Sequence, residues 1–376
     1  MNIFLSVTVA FALLAATLPA AAESVTATRA WQFKLESVEG LEVRNLVGDI
    51  RVERGAGPGT HVTARATVEA ASQAEAERLL KLIEYRTADR GAGSRFDVVL
   101  RRKDFPKIYW AGGSTGWWHS SFTEYLGERI RLTRDRDEAP MVRIDLVIRG
   151  PAGAKLDVSN RFGDAVAQGF SGELVLDGSS GNLRSSGGEG RLELDNGSGD
   201  VEVAGHRGEV VADTGSGTVT ISDCECEIKA DTGSGSVEVR GGSGSASADT
   251  GSGRVTIEGF RGPLAADTGS GSVRARDVSD VRSIDADTGS GSVTIEGDLS
   301  ALRNLDIDTG SGSVILRSSP PPSIDIRIDT GSGDVDVNAP EATVRESDDV
   351  WTVRSKGGGG SGVIDTGSGS VDIDFR

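Results

Sequence analysis

Asp231-Thr-Gly-Ser-Gly-Ser-Val-Glu-Val-Arg240-Gly-Gly-Ser-Gly-Ser-Ala-Ser-Ala248 is followed at once by Asp249-Thr-Gly-Ser-Gly253, and that return decides the fold. The pentapeptide Asp-Thr-Gly-Ser-Gly begins eight times, at Asp213, Asp231, Asp249, Asp267, Asp287, Asp308, Asp329 and Asp365. A variant, Asp-Asn-Gly-Ser-Gly, begins at Asp195, and from there the steps are 18, 18, 18, 18, 20, 21, 21 and 36 residues. A fixed step of this size marks a stacked repeat array.

Each unit splits into two short alternating runs separated by turn residues. Val255 and Ile257 alternate with Thr256 and Glu258, the period of two expected of a half-buried strand. Beyond the turn at Gly259–Pro263, Leu264 and Ala266 share one face. The same inward pair recurs as Val210 and Ala212, Ile228 and Ala230, Ile284 and Ala286, Leu305 and Ile307, and Ile326 and Ile328. No helix-period stripe occurs between Pro151 and Arg376. A step of 18 residues is too short for a βαβ unit. The chain is therefore read as all-β, a right-handed parallel β-solenoid (β-helix) of about 18–21-residue coils. Each coil pairs in register with the next, about 4.8 Å further on. The register extends towards the N-terminus in degenerate form, through Asp177-Gly-Ser-Ser-Gly, Leu156–Asp164 and Gly48-Asp-Ile-Arg-Val52.

Alternation places Ala212 inward, Asp213 outward and Thr214 inward before the chain turns at Gly215-Ser-Gly217. In this reading the Asp opens an Asx-turn and the glycines supply unusual φ values. The cost is a row of carboxylates along one edge, a structural feature that is also a candidate cation ladder.

The first 22 residues read as a secretory signal peptide: an apolar run from Ile3 to Leu18, then Pro19-Ala-Ala-Ala22 before Glu23. No other apolar span and no lipobox cysteine is present, so export to the periplasm, the cell surface or the medium is expected, with no transmembrane span in the mature chain. Residues 23–150 form an N-terminal cap with degenerate strands and one helix, and residues 151–376 form the array. Lys and Arg number 21 against 19 Asp and Glu in the former, and 19 against 38 in the latter. So acidic an array argues against nucleic acid and anionic membranes as partners. It leaves an envelope or surface ligand, protein or glycan.

The helix is signalled by the capping box Ser72-Gln-Ala-Glu75 and by Ala76, Leu79, Leu80 and Ile83 at helical spacing. It is expected to lie over the open end of the solenoid, where an uncovered coil would present free backbone groups. Between Tyr109 and Tyr125 a Gly/Ser-rich stretch carries Trp110, Trp117, Trp118, Phe122 and Tyr125. These are candidates for a binding loop by stacking on sugars or anchoring an interface. Burial between cap and array is the preferred account.

These features together resemble the bacterial "putative adhesin" family of exported β-strand-repeat proteins, a domain of unknown function. The resemblance rests on the signal, Val47-Gly-Asp-Ile-Arg-Val52, the capped helix, and serial Gly-[Ser/Asp]-Val-x-[Val/Ile] coils closing with Val371-Asp-Ile-Asp-Phe375. It covers nearly all of the mature chain and implies the fold and export. The near-invariant Asp-Thr-Gly-Ser-Gly, the aromatic stretch and insertions at Ser318–Ser323 and Asn338–Ser361 depart from the family pattern.

Chemistry is sparsely signalled. Asp-Thr-Gly-Ser is also the aspartic-protease signature, but that requires two copies in apposition, and here eight stand in a row. The glycine-rich segments lack the Lys and attached helix of a P-loop. Cys224 and Cys226, at a bend in Asp-Cys-Glu-Cys-Glu, and three scattered histidines supply no spaced metal set. A disulfide between such close neighbours is strained. No catalytic residue, metal or cofactor is nominated. The expected function is a non-enzymatic, adhesin-like or scaffold module of the envelope. The alternatives are a polysaccharide-active β-helix enzyme and an ice-, mineral- or calcium-binding repeat.

Overall fold

A computed structural model describes residues 24–35, 40–90, 93–110, 120–347 and 350–376. Residues 1–22, read above as a signal peptide, lie outside them. The described residues form 34 strands and one α-helix, divided between two compact units, Met1–Gly199 and Asp200–Arg376. The fold is a β-solenoid, with each coil contributing one longer and one shorter strand to two facing, mostly parallel sheets.

In the second unit the longer strands Arg207–Thr214, Glu225–Thr232, Ser243–Thr250, Leu264–Thr268, Ser283–Thr288 and Asn304–Thr309 pair in parallel, each with the next. The shorter strands do the same opposite them, so that like residues stack on like. Val219, Val237, Val255, Val273, Val293 and Val314 form one column. Ala212, Ala230, Ala248, Ala266 and Ala286 form another. Both columns are buried, as alternation required, and Ile257 and Ile328 are each 0% exposed.

Chain order and spatial order part company at the end of this unit. The last coil, with strands Ser361–Thr366 and Val371–Phe375, lies between the coil of Asn304–Thr309 and Val314–Ser318 and the coil of Ile324–Thr330 and Val335–Asn338. The 36-residue step is therefore more than an insertion: the chain passes one coil position, turns back through a hairpin, and fills the position it left. The hairpin strand Val350–Ser355 pairs antiparallel with Ile324–Thr330 and with Ala342–Ser347, which ends the ladder.

The first unit holds the degenerate coils. Leu41–Val47 and Ile50–Arg54 stack in parallel on Ala154–Phe162 and Ala165–Gln168, pairing Leu41 with Leu156 and Ile50 with Ala165. About a hundred residues of intervening chain build the cover over this coil. Met141–Gly150 pairs beside Ile50–Arg54, followed by Thr60–Ala70 and Val25–Leu35 in antiparallel succession. On the other sheet Gly93–Val99 and Glu84–Arg90 extend the ladder from Leu41–Val47. Trp31, Phe33, Tyr85 and Phe96 cluster here with neighbouring ring centroids 4.8–5.9 Å apart.

The helix Gln73–Leu80 forms as expected, with the Ser72 hydroxyl accepting from the Glu75 amide at 3.3 Å and Ala76, Leu79 and Leu80 buried. It packs on Val25–Leu35 and Thr60–Ala70. The terminal coil is thus covered by the parallel strands Met141–Gly150 and Gly93–Val99, which satisfy its edge amides and carbonyls directly and carry the antiparallel strands beyond them, rather than by the helix.

Replacing Ile257 with Asp puts a carboxylate into a column with no polar partner. It should cost more than about 3 kcal/mol and unfold neighbouring coils. A urea titration that finds a loss under about 1 kcal/mol would contradict the assigned facing.

Candidate functional site

The repeated pentapeptide occupies the same corner of each coil that carries it, and its residues have separate jobs. The Thr is inward and fully buried in Thr214, Thr232, Thr250, Thr268, Thr288, Thr309 and Thr366. Its hydroxyl accepts the amide of the second glycine of its own coil, as in Gly253 to Thr250 at 3.1 Å and Gly271 to Thr268 at 3.0 Å. The same hydroxyl donates to the second-glycine carbonyl of the preceding coil: Thr232 to Gly217, Thr250 to Gly235, Thr268 to Gly253 and Thr288 to Gly271, at 2.8–3.0 Å. Each of these four Thr therefore closes its own turn and ties two coils together, whereas Thr330 and Thr366 donate to the second-glycine carbonyl of their own coil. The Asp-Asn variant keeps only the half of this that ties coils together: the buried Asn196 amide donates to the Gly181 carbonyl at 2.9 Å, while its side-chain oxygen has no partner.

The turn bond belongs to the Thr, not to an Asx-turn of the Asp. The glycines are likewise needed for contact more than for φ. A Cβ on Gly235, Gly253, Gly271 or Gly291 would lie 1.4–1.6 Å from the carbonyl oxygen of the glycine below, and none of these four has a left-handed φ. That oxygen is backbone held by the stack, so it cannot move aside.

The Asp carboxylates point outward in register, in the order Asp213, Asp231, Asp249, Asp267, Asp287, Asp308, Asp365 and Asp329. Partial burial, and then the carboxylate of the adjoining coil, push Asp231, Asp249, Asp267 and Asp287 above the usual carboxylate range. In the first unit Asp195 is raised in the same way, by partial burial and then by Asp177 and Glu193. There the row runs from Asp195 through Asp177 and Ser159 to Arg44, Asp97 and Arg86.

Arg44 and Asp97 form a two-pronged pair at 2.7 and 2.9 Å. With Arg86, Glu124, Leu126 and Arg161 they line an open cavity of about 560 Å³. Sequence reasoning missed this cluster. Its residues are up to 117 positions apart, and only the strand register could have assembled them.

Of the candidate binding loop, Trp117 and Trp118 lie outside the described residues. Trp110 and Tyr125 are buried, and the Tyr125 hydroxyl donates to the carbonyls of Arg44 and Val98 at 2.9 and 2.6 Å. Phe122 is 56% exposed, with the Arg129 guanidinium 4.2 Å from its ring centre. The structure thus brings Tyr125 to the Arg44 strand and leaves Phe122 on the surface. Among the described residues no three His, Cys, Asp or Glu side chains are placed to hold a metal ion.

The Toastrack DUF4097 family profile matches residues 146–338, just over half of the chain. The chain belongs to the Toastrack DUF4097 family. Among solved structures, this Toastrack chain is similar to a "putative cell adhesion protein" from Clostridium sporogenes, at 10% identity and a TM-score of 0.20, covering 93% of this chain and 100% of that one. It is also similar to a "putative lipid binding protein" from Parabacteroides distasonis, at 12% identity and a TM-score of 0.35, covering 92% and 96%. No curated protein gives a significant match.

Gly253→Ala should lose about 3 kcal/mol or more, since a methyl group cannot enter the space of a stacked carbonyl. Ser252→Ala, at the exposed middle of the same turn, should stay within about 0.5 kcal/mol. Paired thermal melts distinguish the two.

The Asp row has a testable sign. A carboxyl raised above its unfolded value makes the folded state bind more protons, so its penalty is fully present above the folded pKa and disappears below the unfolded one. Asn at Asp231, Asp249 and Asp267 should therefore raise Tm at neutral pH, and the gain should shrink as pH falls through the carboxylate range. A wild-type Tm that rises with millimolar calcium, while the Asn variant's does not, would make the row a cation site instead.

Proposed function

We propose that the chain is a non-enzymatic, exported scaffold or adhesion module of the cell envelope, with residues 23–150 capping an array of residues 151–376. The observation that carries this reading is the use of the repeated motif. In most coils the Thr hydroxyl is bonded to backbone on both sides, the glycines are held in backbone contact, and the Asp carboxylates stand in line rather than facing one another. None of these groups is left poised as a nucleophile with a base, and a protease-like pair of apposed carboxylates does not arise from parallel coils. What remains outward is a long, regular, acidic surface that supports binding of an envelope protein or glycan. The signal-like segment 1–22 supports export. Among the described residues no helix is long and apolar enough to cross a membrane.

The mature chain, immobilised and screened against glycans and envelope proteins, should show saturable binding with no turnover of acidic or neutral polysaccharides. Hydrolase or lyase activity abolished by one substitution would replace this reading with the polysaccharide-active enzyme.

A further inference from the structure

One corner of the second unit breaks the rule that governs its neighbours. The position two residues before the first inward residue of the longer strand is Gly172 or Gly190 in the first unit, and Gly208, Gly244 or Gly262 in the second. All five glycines have φ between +113° and +146°. A Cβ at Gly244 or Gly262 would lie 2.1 or 1.9 Å from a carbonyl of the preceding coil. Cys226 stands in this column between Gly208 and Gly244, and it alone of the six carries a side chain. Three residues earlier, Asp223 takes φ +53° where Gly205, Gly241 and Gly259 take +65° to +67°, as Asp277 does at the same bend of a later coil. The Cys226 side chain is therefore the departure, and it marks a site kept for something other than stacking.

The result is two buried thiols two residues apart at one inward corner: Cys224 and Cys226 are 1% and 4% exposed and unbridged. The next coil offers Gly242 beside Cys224 and Gly244 beside Cys226, so no side chain there separates them. The Cys226 thiol, and then the His206 backbone amide, hold the Cys224 thiol below the ordinary cysteine range. Its neighbour and its burial push Cys226 up.

We propose that Cys224 and Cys226 are a reversible dithiol–disulfide couple that exchanges with small-molecule disulfides. The thiolate of one cysteine attacks one sulfur of the oxidant disulfide, forming a mixed disulfide and expelling one thiolate. The thiol of the other then loses its proton and attacks the cysteine sulfur of the mixed disulfide, closing the internal bond and expelling the second thiolate. Two protein thiols are oxidised and one disulfide is reduced to two thiols. A bridge closed over one intervening residue is strained and easily reduced, so it serves as a reversible couple rather than a staple.

The full chain, equilibrated in glutathione buffers both from the native state and by refolding, is acid-quenched, denatured, treated with a maleimide and weighed intact. With excess oxidised glutathione the wild type should lose about 2 Da and take up no maleimide. Excess reduced glutathione should restore two maleimides. Cys226→Gly, which restores the glycine column, should fold with an undiminished Tm and retain glutathione on Cys224, having no resolving thiol. Two maleimides on the wild type at every buffer ratio would overturn the proposal. So would a persistent glutathione adduct on the wild type, or oxidation only to a covalent dimer.

Discussion

The structure depends on how closely successive coils approach at one corner. Parallel strands lie about 4.8 Å apart, and at the corner the carbonyl of one glycine points at the α-carbon of the next, leaving no room for a Cβ. That carbonyl and the turn amide above it are buried backbone groups that must find partners. A single Thr hydroxyl, acting as donor and acceptor, serves both. Serine could make the same bonds, but the Thr methyl also fills the interior beside the Ala column. Once Thr must face inward and glycine must follow at fixed positions, the residue before Thr faces outward in every coil. The carboxylate row is thus a by-product of corner geometry combined with a preference for Asp on the solvated side.

A by-product of this kind still has an electrostatic consequence. Like charges about 5 Å apart repel by about 1 kcal/mol per pair in water, and screening at physiological salt confines the effect to near neighbours. The row tolerates this because its members are largely exposed. In the first unit the line through Asp195 and Asp177 changes sign: past Ser159 it meets Arg44, whose charge is fixed by the two-pronged bond to Asp97. Acidic and basic residues therefore meet on the outer face of one sheet, and Arg161, bonded to the Ser179 hydroxyl at 3.0 Å, adds a cation there.

The step length and the alternation of Val255, Thr256, Ile257 and Glu258 were enough to read coil, facing and core, because these depend only on spacing along the chain. Even the displaced coil at Leu41–Arg54 was visible through its Gly-Asp-Ile-Arg-Val. The roles within the motif were not. Alternation tells which way Asp231 and Thr232 point, but not which oxygen meets the glycine amide, and it cannot separate a glycine needed for φ from one needed for contact. The Arg44–Asp97 cluster and the placing of the last coil were equally hidden, since both arise from pairings between distant segments that carry no periodic trace.

The out-of-order final coil answers a problem intrinsic to parallel arrays, which is how to stop. A ladder that ended on its best-patterned coil would present an apolar, in-register template to any passing strand. Here the well-patterned segment, with Ile364, Val371, Ile373 and Phe375 all buried, is inside. The coil left outermost carries Asp334, Asp336 and Asn338 around Val335 and Val337, which remain half-exposed. On the facing sheet the edge strand Ala342–Ser347, paired antiparallel with Val350–Ser355, exposes Arg345 and Glu346. Exposed charges on both edge strands penalise pairing by a further strand. The tetraglycine Gly357–Gly360 lets the chain return to the vacated position, with Gly357 and Gly358 both at left-handed φ. The stop is therefore built from chain topology, with polar residues spent on the outermost coil and apolar ones on the coil it covers.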